Sequence, residues 1–226
     1  LHGKFRRQRQ MCIRDRSEGL QPEDLTKYLN EYFSEMTAIA LECGATIDKY
    51  IGDAMMVFFG DPDSKGERED ARACVNMALR MRDKISNLQL KWQKQGFSEP
   101  FQVRMGMNTG YCNVGNFGSD QRLTYTIIGS EVNVAQRLEA SAESGGILMS
   151  YETYAHAQDL IEVEQLESIS MKGVNREIKV FSVLNELRER NTKSPASQKL
   201  KTVPERIGDR LDALETKIEE ILDLIK

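Results

Sequence analysis

Histidine and cysteine are scarce in this chain of 226 residues: it has His2 and His156, and Cys12, Cys43, Cys74 and Cys112. Their scatter shows neither zinc spacing nor the density of a secreted disulfide framework, so a metal cluster and a disulfide scaffold are both excluded. A reducing cytoplasm is the simplest setting. No apolar run is long enough to span a bilayer, and the opening residues lack the continuous apolar centre of a signal peptide. Beyond the basic start there is no stripe of lysine and arginine, and the formal net charge is −4, so nucleic acid is not an expected partner. What remains is an ordinary globular composition, with length for one full domain and appendages.

Residues 1–16, "LHGKFRRQRQMCIRDR", are basic and carry almost no periodic apolar signal; they read as an extension foreign to the rest of the chain. From Pro22 the pattern changes. Leu25, Tyr28, Leu29, Tyr32, Phe33, Met36 and Ile39 recur at helical spacing, acidic residues fill the first turn and Gly44 is the stop. "TIDKYIGDAMMVFF" then predicts a hairpin turning at Gly52-Asp53, apolar enough to be largely buried. A second helix presents Ala71, Cys74, Met77, Ala78, Met81 and Ile85 on one face. "FQVRMGMNTG" alternates like a half-buried strand, two strands come next in "YCNVGNFGSDQRLTYTII", and a short helix starts near Ser130. "GGILMS" and "REIKVFSVL" read as closing strands, with "YETYAHAQDL" helical between them.

Two long helices against one mostly antiparallel sheet make an α+β sandwich, close to a β-α-β-β-α-β arrangement without its opening strand. The domain spans 17–185. Residues 186–202 read as a polar linker and 203–226 as a C-terminal helix, whose Ile207, Leu211, Leu214, Ile218, Ile221 and Ile225 form a short coiled-coil seam. With under three heptads and Gly208 inside it, that helix is marginal alone.

Within the domain a few polar residues carry chemistry only in combination. Asn133 and Arg137, four apart, leave the same face of the short helix. Taken singly they read as a solvated face, Lys49 as an exposed strand lysine, Thr126 as an unexceptional strand residue, and Asp53 as a turn former. The ordered series "LNEYF", "DKYIGDAMMVFFG", "MGMNTG", "VGNFG", "LTYTIIGSEVNVAQRLE" and "MKGVNREIKVFSV" resembles the class III nucleotidyl cyclase domain from about Ser17 to Leu184.

That resemblance implies a ferredoxin-like α+β domain working as a head-to-tail homodimer, with active sites built across the interface. It implies ATP as substrate, cyclised by attack of the ribose 3′ oxygen on the α-phosphorus. It also implies two Mg²⁺ (or Mn²⁺) ions per site held by two carboxylates, one ion activating the 3′ hydroxyl and the other gripping the triphosphate. Asp53 matches the second carboxylate. Lys49 and Thr126 match the residues that read the base: adenine N1 is an acceptor and N6 a donor, whereas guanine N1 is protonated and would oppose an ammonium. Asn133 matches the residue orienting the ribose, Arg137 the one stabilising charge on the α-phosphoryl oxygens, and Lys172 the lysine reaching the terminal phosphates.

The opening metal-binding aspartate, in a Phe-Ser-Asp-Ile-like strand, has no counterpart: the family's spacing back from Ser17 lands on Arg9, and Asp15 is too close. A truncated or misassembled start is therefore expected in preference to a natural variant, and with it inactivity of the chain as written. The alternative is a non-catalytic cyclase-like module that binds nucleotide or dimerises. No sensor domain or transmembrane segment is read within these 226 residues, so the regulatory input is expected to come from outside them, from the tail or from a soluble effector.

Overall fold

The computed structural model describes residues 22–170 and 176–187. The extension over 1–16, Lys172, the linker beyond Leu187 and the coiled-coil helix over 203–226 lie outside the described residues.

The described chain runs α1 (Pro22–Glu42), β1 (Thr46–Ile51), β2 (Ala54–Phe58), α2 (Glu67–Lys94), β3 (Met105–Met107), β4 (Asn113–Ser119), β5 (Arg122–Ile128), α3 (Ser130–Ser141), β6 (Ile147–Ser150), α4 (Tyr151–Ala157), β7 (Ile161–Ile169) and β8 (Ile178–Glu186). Strands β3, β6, β8 and β7 form one sheet in that order. Its β3–β6 pair is parallel and its other pairs are antiparallel. Hairpins β1–β2 and β4–β5 are antiparallel.

Side-chain alternation along β6 explains the layering, since successive residues of a strand point to opposite faces. Ile147 and Met149 join Val75, Ala78 and Leu79 of α2 in one cluster, together with Phe181 and Val183 of β8. Leu148 joins Val134 and Leu138 of α3, with Ile178 and Val180 of β8, in another. The sheet is therefore covered on both faces, by α2 and α4 on one and by α3 on the other. A third cluster packs Tyr28, Tyr32 and Met36 of α1 against Met81, Ile85 and Trp92 of α2, with Phe97 and Phe101 from the loop after α2. The α+β sandwich expected from the sequence is the architecture found.

Four expectations need correction. The hairpin is not largely buried: Tyr50 and Ile51 are 47% and 45% exposed, because none of the described residues covers its outer half. In "FQVRMGMNTG" only Met105–Met107 pairs as a strand; Phe101 is buried by stacking with Trp92, ring centroids 4.8 Å apart, not by a ladder. Strand β7 has no counterpart in the sequence reading, and its Glu-rich, mostly exposed face is typical of a sheet edge. Finally, β8 continues through Glu186, the first residue of the expected linker.

Candidate active site

Helix α3 is set by one glycine. Gly106, opposite Leu148 in the β3–β6 register, faces the helix so closely that an added Cβ would lie 2.2 Å from the Glu139 backbone N and 2.3 Å from the Ala135 carbonyl O. Arg104 reinforces the contact with an ion pair to Glu139 at 2.9 Å. With Val134 and Leu138 fully buried on the inner face, the outer face carries Asn133 and Arg137, both exposed. Gly106→Ala should force strand and helix apart and lower stability by about 1–3 kcal/mol, as overpacking does. Urea denaturation measures this, and an unchanged midpoint would mean that the helix shifts at no cost.

The first turn of α3 is tied down through Glu131. Asn108 Nδ2 donates to its Oε2 at 2.8 Å and to its carbonyl at 3.1 Å, and Arg176 Nη1 and Nη2 donate to its carboxylate, at 3.2 and 2.8 Å. Burial pushes the Glu131 carboxyl up, but the Arg176 and Asn108 hydrogen bonds outweigh it and hold the group below its ordinary value of 4.5. A depressed carboxyl stabilises the fold above its unfolded pKa, and that contribution fades as pH falls through the folded one. Glu131→Gln should therefore lower the melting temperature at neutral pH, and the deficit should shrink below pH 4.5. A deficit constant from neutral pH into that acid range would show that the charge does not contribute.

Hairpin β1–β2 is held to α1 by Tyr50, whose hydroxyl lies 2.6 Å from Thr37 Oγ1 and whose ring packs edge-on against Phe33 at 4.8 Å. Lys49, the preceding residue, turns the other way: its Nζ donates to Thr126 Oγ1 of β5 at 2.9 Å. Thr126 is buried, whereas the Lys49 side chain is 42% exposed. Seventy-seven residues apart in sequence, these two side chains form one hydrogen-bonded pair.

Asp53, just past the turn at Gly52 (φ 65°), is partly exposed and makes no ion pair among the described residues. The closest electrostatic consequence falls on Tyr32: burial raises its phenol pKa and the Asp53 charge adds to the rise, so the phenol stays neutral. Among the described residues no group of three His, Cys, Asp or Glu side chains could hold a metal. A single carboxylate fits a share in one Mg²⁺, which keeps several waters and takes further ligands from phosphates.

The structure thus brings Lys49 and Thr126 together, puts Asn133 and Arg137 on one helix face, and leaves Asp53 apart at the hairpin tip. Two concavities, one lined by Arg82, Gln89 and Ser144 and the other by Lys65, Arg72 and Glu186, contain none of these side chains. Sequence reasoning missed Asp48 and the Glu131, Asn108 and Arg176 cluster. Arg176 comes shortly after Lys172 in the chain, but its contact with Glu131 spans 45 residues and no local pattern announces it.

Residues 9–185 match the model of the adenylate and guanylate cyclase catalytic domain. The chain is 30% identical over 178 residues to adenylate cyclase 1 of Rhizobium meliloti, covering 78% of this chain and 26% of that protein. Among solved structures, the adenylyl cyclase CyaB from P. aeruginosa is 47% identical with a TM-score of 0.75, over 78% of this chain and 90% of that one. The guanylyl cyclase Cya2 is 32% identical with a TM-score of 0.71, over 79% and 89%. The chain spans only about a quarter to a third of the length of the first two curated relatives, at 26% and 34%.

Proposed function

The chain belongs to the adenylate and guanylate cyclase catalytic-domain family, and from that premise we propose that its intact domain converts ATP to 3′,5′-cyclic AMP and pyrophosphate at sites shared by two copies. The observation that carries the choice of ATP is the Lys49–Thr126 pair at 2.9 Å. With one N–H given to Thr126, the ammonium still has donors for an acceptor such as adenine N1, and the threonine oxygen keeps a lone pair for the N6 amino group. A protonated guanine N1 would face that ammonium with donor against donor.

In the reaction the ribose 3′ hydroxyl passes its proton to solvent water, its oxygen bonds to the α-phosphorus, and pyrophosphate leaves with the electrons of the broken P–O bond. Asn133 orients the ribose, Arg137 offers its planar fork to the α-phosphoryl oxygens, and Lys172 reaches the terminal phosphates. Asp53 would take a share in holding Mg²⁺, which would supply further positive charge near the phosphates. The exposed hairpin tip with Tyr50 and Ile51, and the exposure of Asn133 and Arg137 on the outer face of α3, support a site completed by a second copy.

Mixing tests this arrangement. If Asp53 and Arg137 of one site come from different copies, Asp53→Ala and Arg137→Ala chains, each inactive alone, should complement when combined. Half the dimers are then mixed and each has one intact site, so about a quarter of the unmutated activity returns. These chains carry a family-like opening strand in place of residues 1–16. No recovery in dimers that exchange subunits would put both residues in a site within one copy. The reading as a non-catalytic module is favoured by one observation, Arg9 where an acid is expected, and the repaired chain separates the two.

A further inference from the structure

Strand β1 contains a carboxylate that its fold does not explain. Ile47 pairs with Val57 and Lys49 with Met56, so Asp48 has no residue opposite it and sits in a bulge. Bulges re-aim a side chain, and this one turns Asp48 inward. Its side chain is 0% exposed, and both carboxylate oxygens lack a hydrogen-bond donor. The one cation beside it among the described residues is Lys49, whose Nζ lies 3.2 Å from Oδ2, close enough for an ion pair but not aligned as a hydrogen bond. A buried carboxylate with no donors is costly, and a neutral strand residue would fill the same bulge without that cost.

The geometry points to Asp48 as a positioning residue for nucleotide choice: it is the fixed countercharge that holds the Lys49 ammonium against Thr126 and so presents the remaining donor to the base. Lysine is a point charge on a flexible stem. Left to itself, an ammonium whose side chain is 42% exposed could swing toward solvent and tolerate either purine. Contacts on two sides, Asp48 at 3.2 Å and Thr126 at 2.9 Å, remove that freedom. Held there, the ammonium offers only donors, which a protonated N1 cannot satisfy. Asp48 touches no base itself and acts only through Lys49. This inference rests on the base-reading role proposed above for Lys49.

Binding tests it without requiring turnover. Dissociation constants for Mg-ATP and Mg-GTP are measured by calorimetry on the full chain at concentrations where it is dimeric, for the unmodified protein, Asp48→Asn, Lys49→Met and the double variant. Asp48→Asn keeps the shape and removes the charge. It should reduce the preference for ATP by about tenfold or more, the scale of a charge-assisted contact. In the Lys49→Met background the same change should have no further effect, as coupled residues require. A merely structural role would move the melting temperature and leave the ratio alone, and that result overturns the proposal. Asp48→Ser, smaller and also neutral, is the second variant; failure of both to fold would likewise show a structural carboxylate. A ratio moved by Lys49→Met but not by either Asp48 variant refutes Asp48 alone. Absence of nucleotide binding, or a ratio that Lys49→Met leaves unmoved, refutes the base-reading assignment and the Asp48 role with it.

Discussion

Lys49→Glu, made in a chain whose residues 1–16 are replaced by a family-like opening strand, should lower ATP turnover by about a hundredfold or more while GTP turnover holds or rises. Two losses add. The substitution removes a charged donor, worth roughly 1.5–3 kcal/mol where it meets an acceptor. It also sets a new carboxylate beside buried Asp48, whose oxygen now lies 3.2 Å from the lysine nitrogen, so two like charges replace an ion pair. Facing guanine, by contrast, a carboxylate meets a protonated N1 that it can accept from. Steady-state rates with each nucleotide measure the effect. A ratio of ATP to GTP rates that Lys49→Glu leaves unchanged would mean that neither Lys49 nor Thr126 reads the base.

The second large effect concerns the opposite end of the chemistry. On the proposed reading, in which the family's spacing back from Ser17 lands on Arg9 instead of the first metal-binding aspartate, the chain as written should form cyclic AMP at least about a hundredfold more slowly than one whose residues 1–16 are replaced by a strand ending in Phe-Ser-Asp-Ile. Asp53 remains, and among the described residues it belongs to no group of three His, Cys, Asp or Glu side chains that could hold a metal. One carboxylate with the phosphates is enough for an ion that keeps its waters, so Mg-ATP binding should survive through Lys49, Arg137 and Lys172 although turnover does not. Asp53→Ala in the repaired chain should abolish activity again. The comparison is made at equal fold and dimer content, by circular dichroism and sedimentation. Robust turnover in the unrepaired chain would show that the missing acid is not needed.

Periodic burial made most of the fold legible. The apolar spacing in α1 and α2 reports a helix face against a core, and Tyr28, Met36, Met81 and Ile85 are indeed buried there. Strand β7 escaped because its outward residues are mostly glutamates and only Ile161 is fully buried; an edge strand of this kind reads as a polar loop. Phe101 misled in the other direction, since alternation reports a buried side chain and does not distinguish a ladder from an aromatic cluster.

At the site, motif resemblance located Lys49 and Thr126, and the structure gave them a shared hydrogen bond. Asp48 was illegible because regular alternation would place it on the same face as Thr46 and Tyr50. Only the bulge between Ile47 and Lys49 buries its carboxylate, and no residue in "TIDKYI" signals a bulge. Glu131 and its partners escaped for a different reason: Asn108 and Arg176 lie 23 and 45 residues away, and hydrogen bonds at that separation leave no periodic trace.

The most direct measurement is the cyclic nucleotide formed when the repaired dimer is given equal ATP and GTP with Mg²⁺. Cyclic AMP in large excess, lost on Asp53→Ala and on Arg137→Ala, is the predicted result. Cyclic GMP formed as fast as cyclic AMP, or no product of either kind from a folded, nucleotide-bound dimer, would contradict an adenylate cyclase built on Lys49, Asp53, Thr126, Asn133 and Arg137.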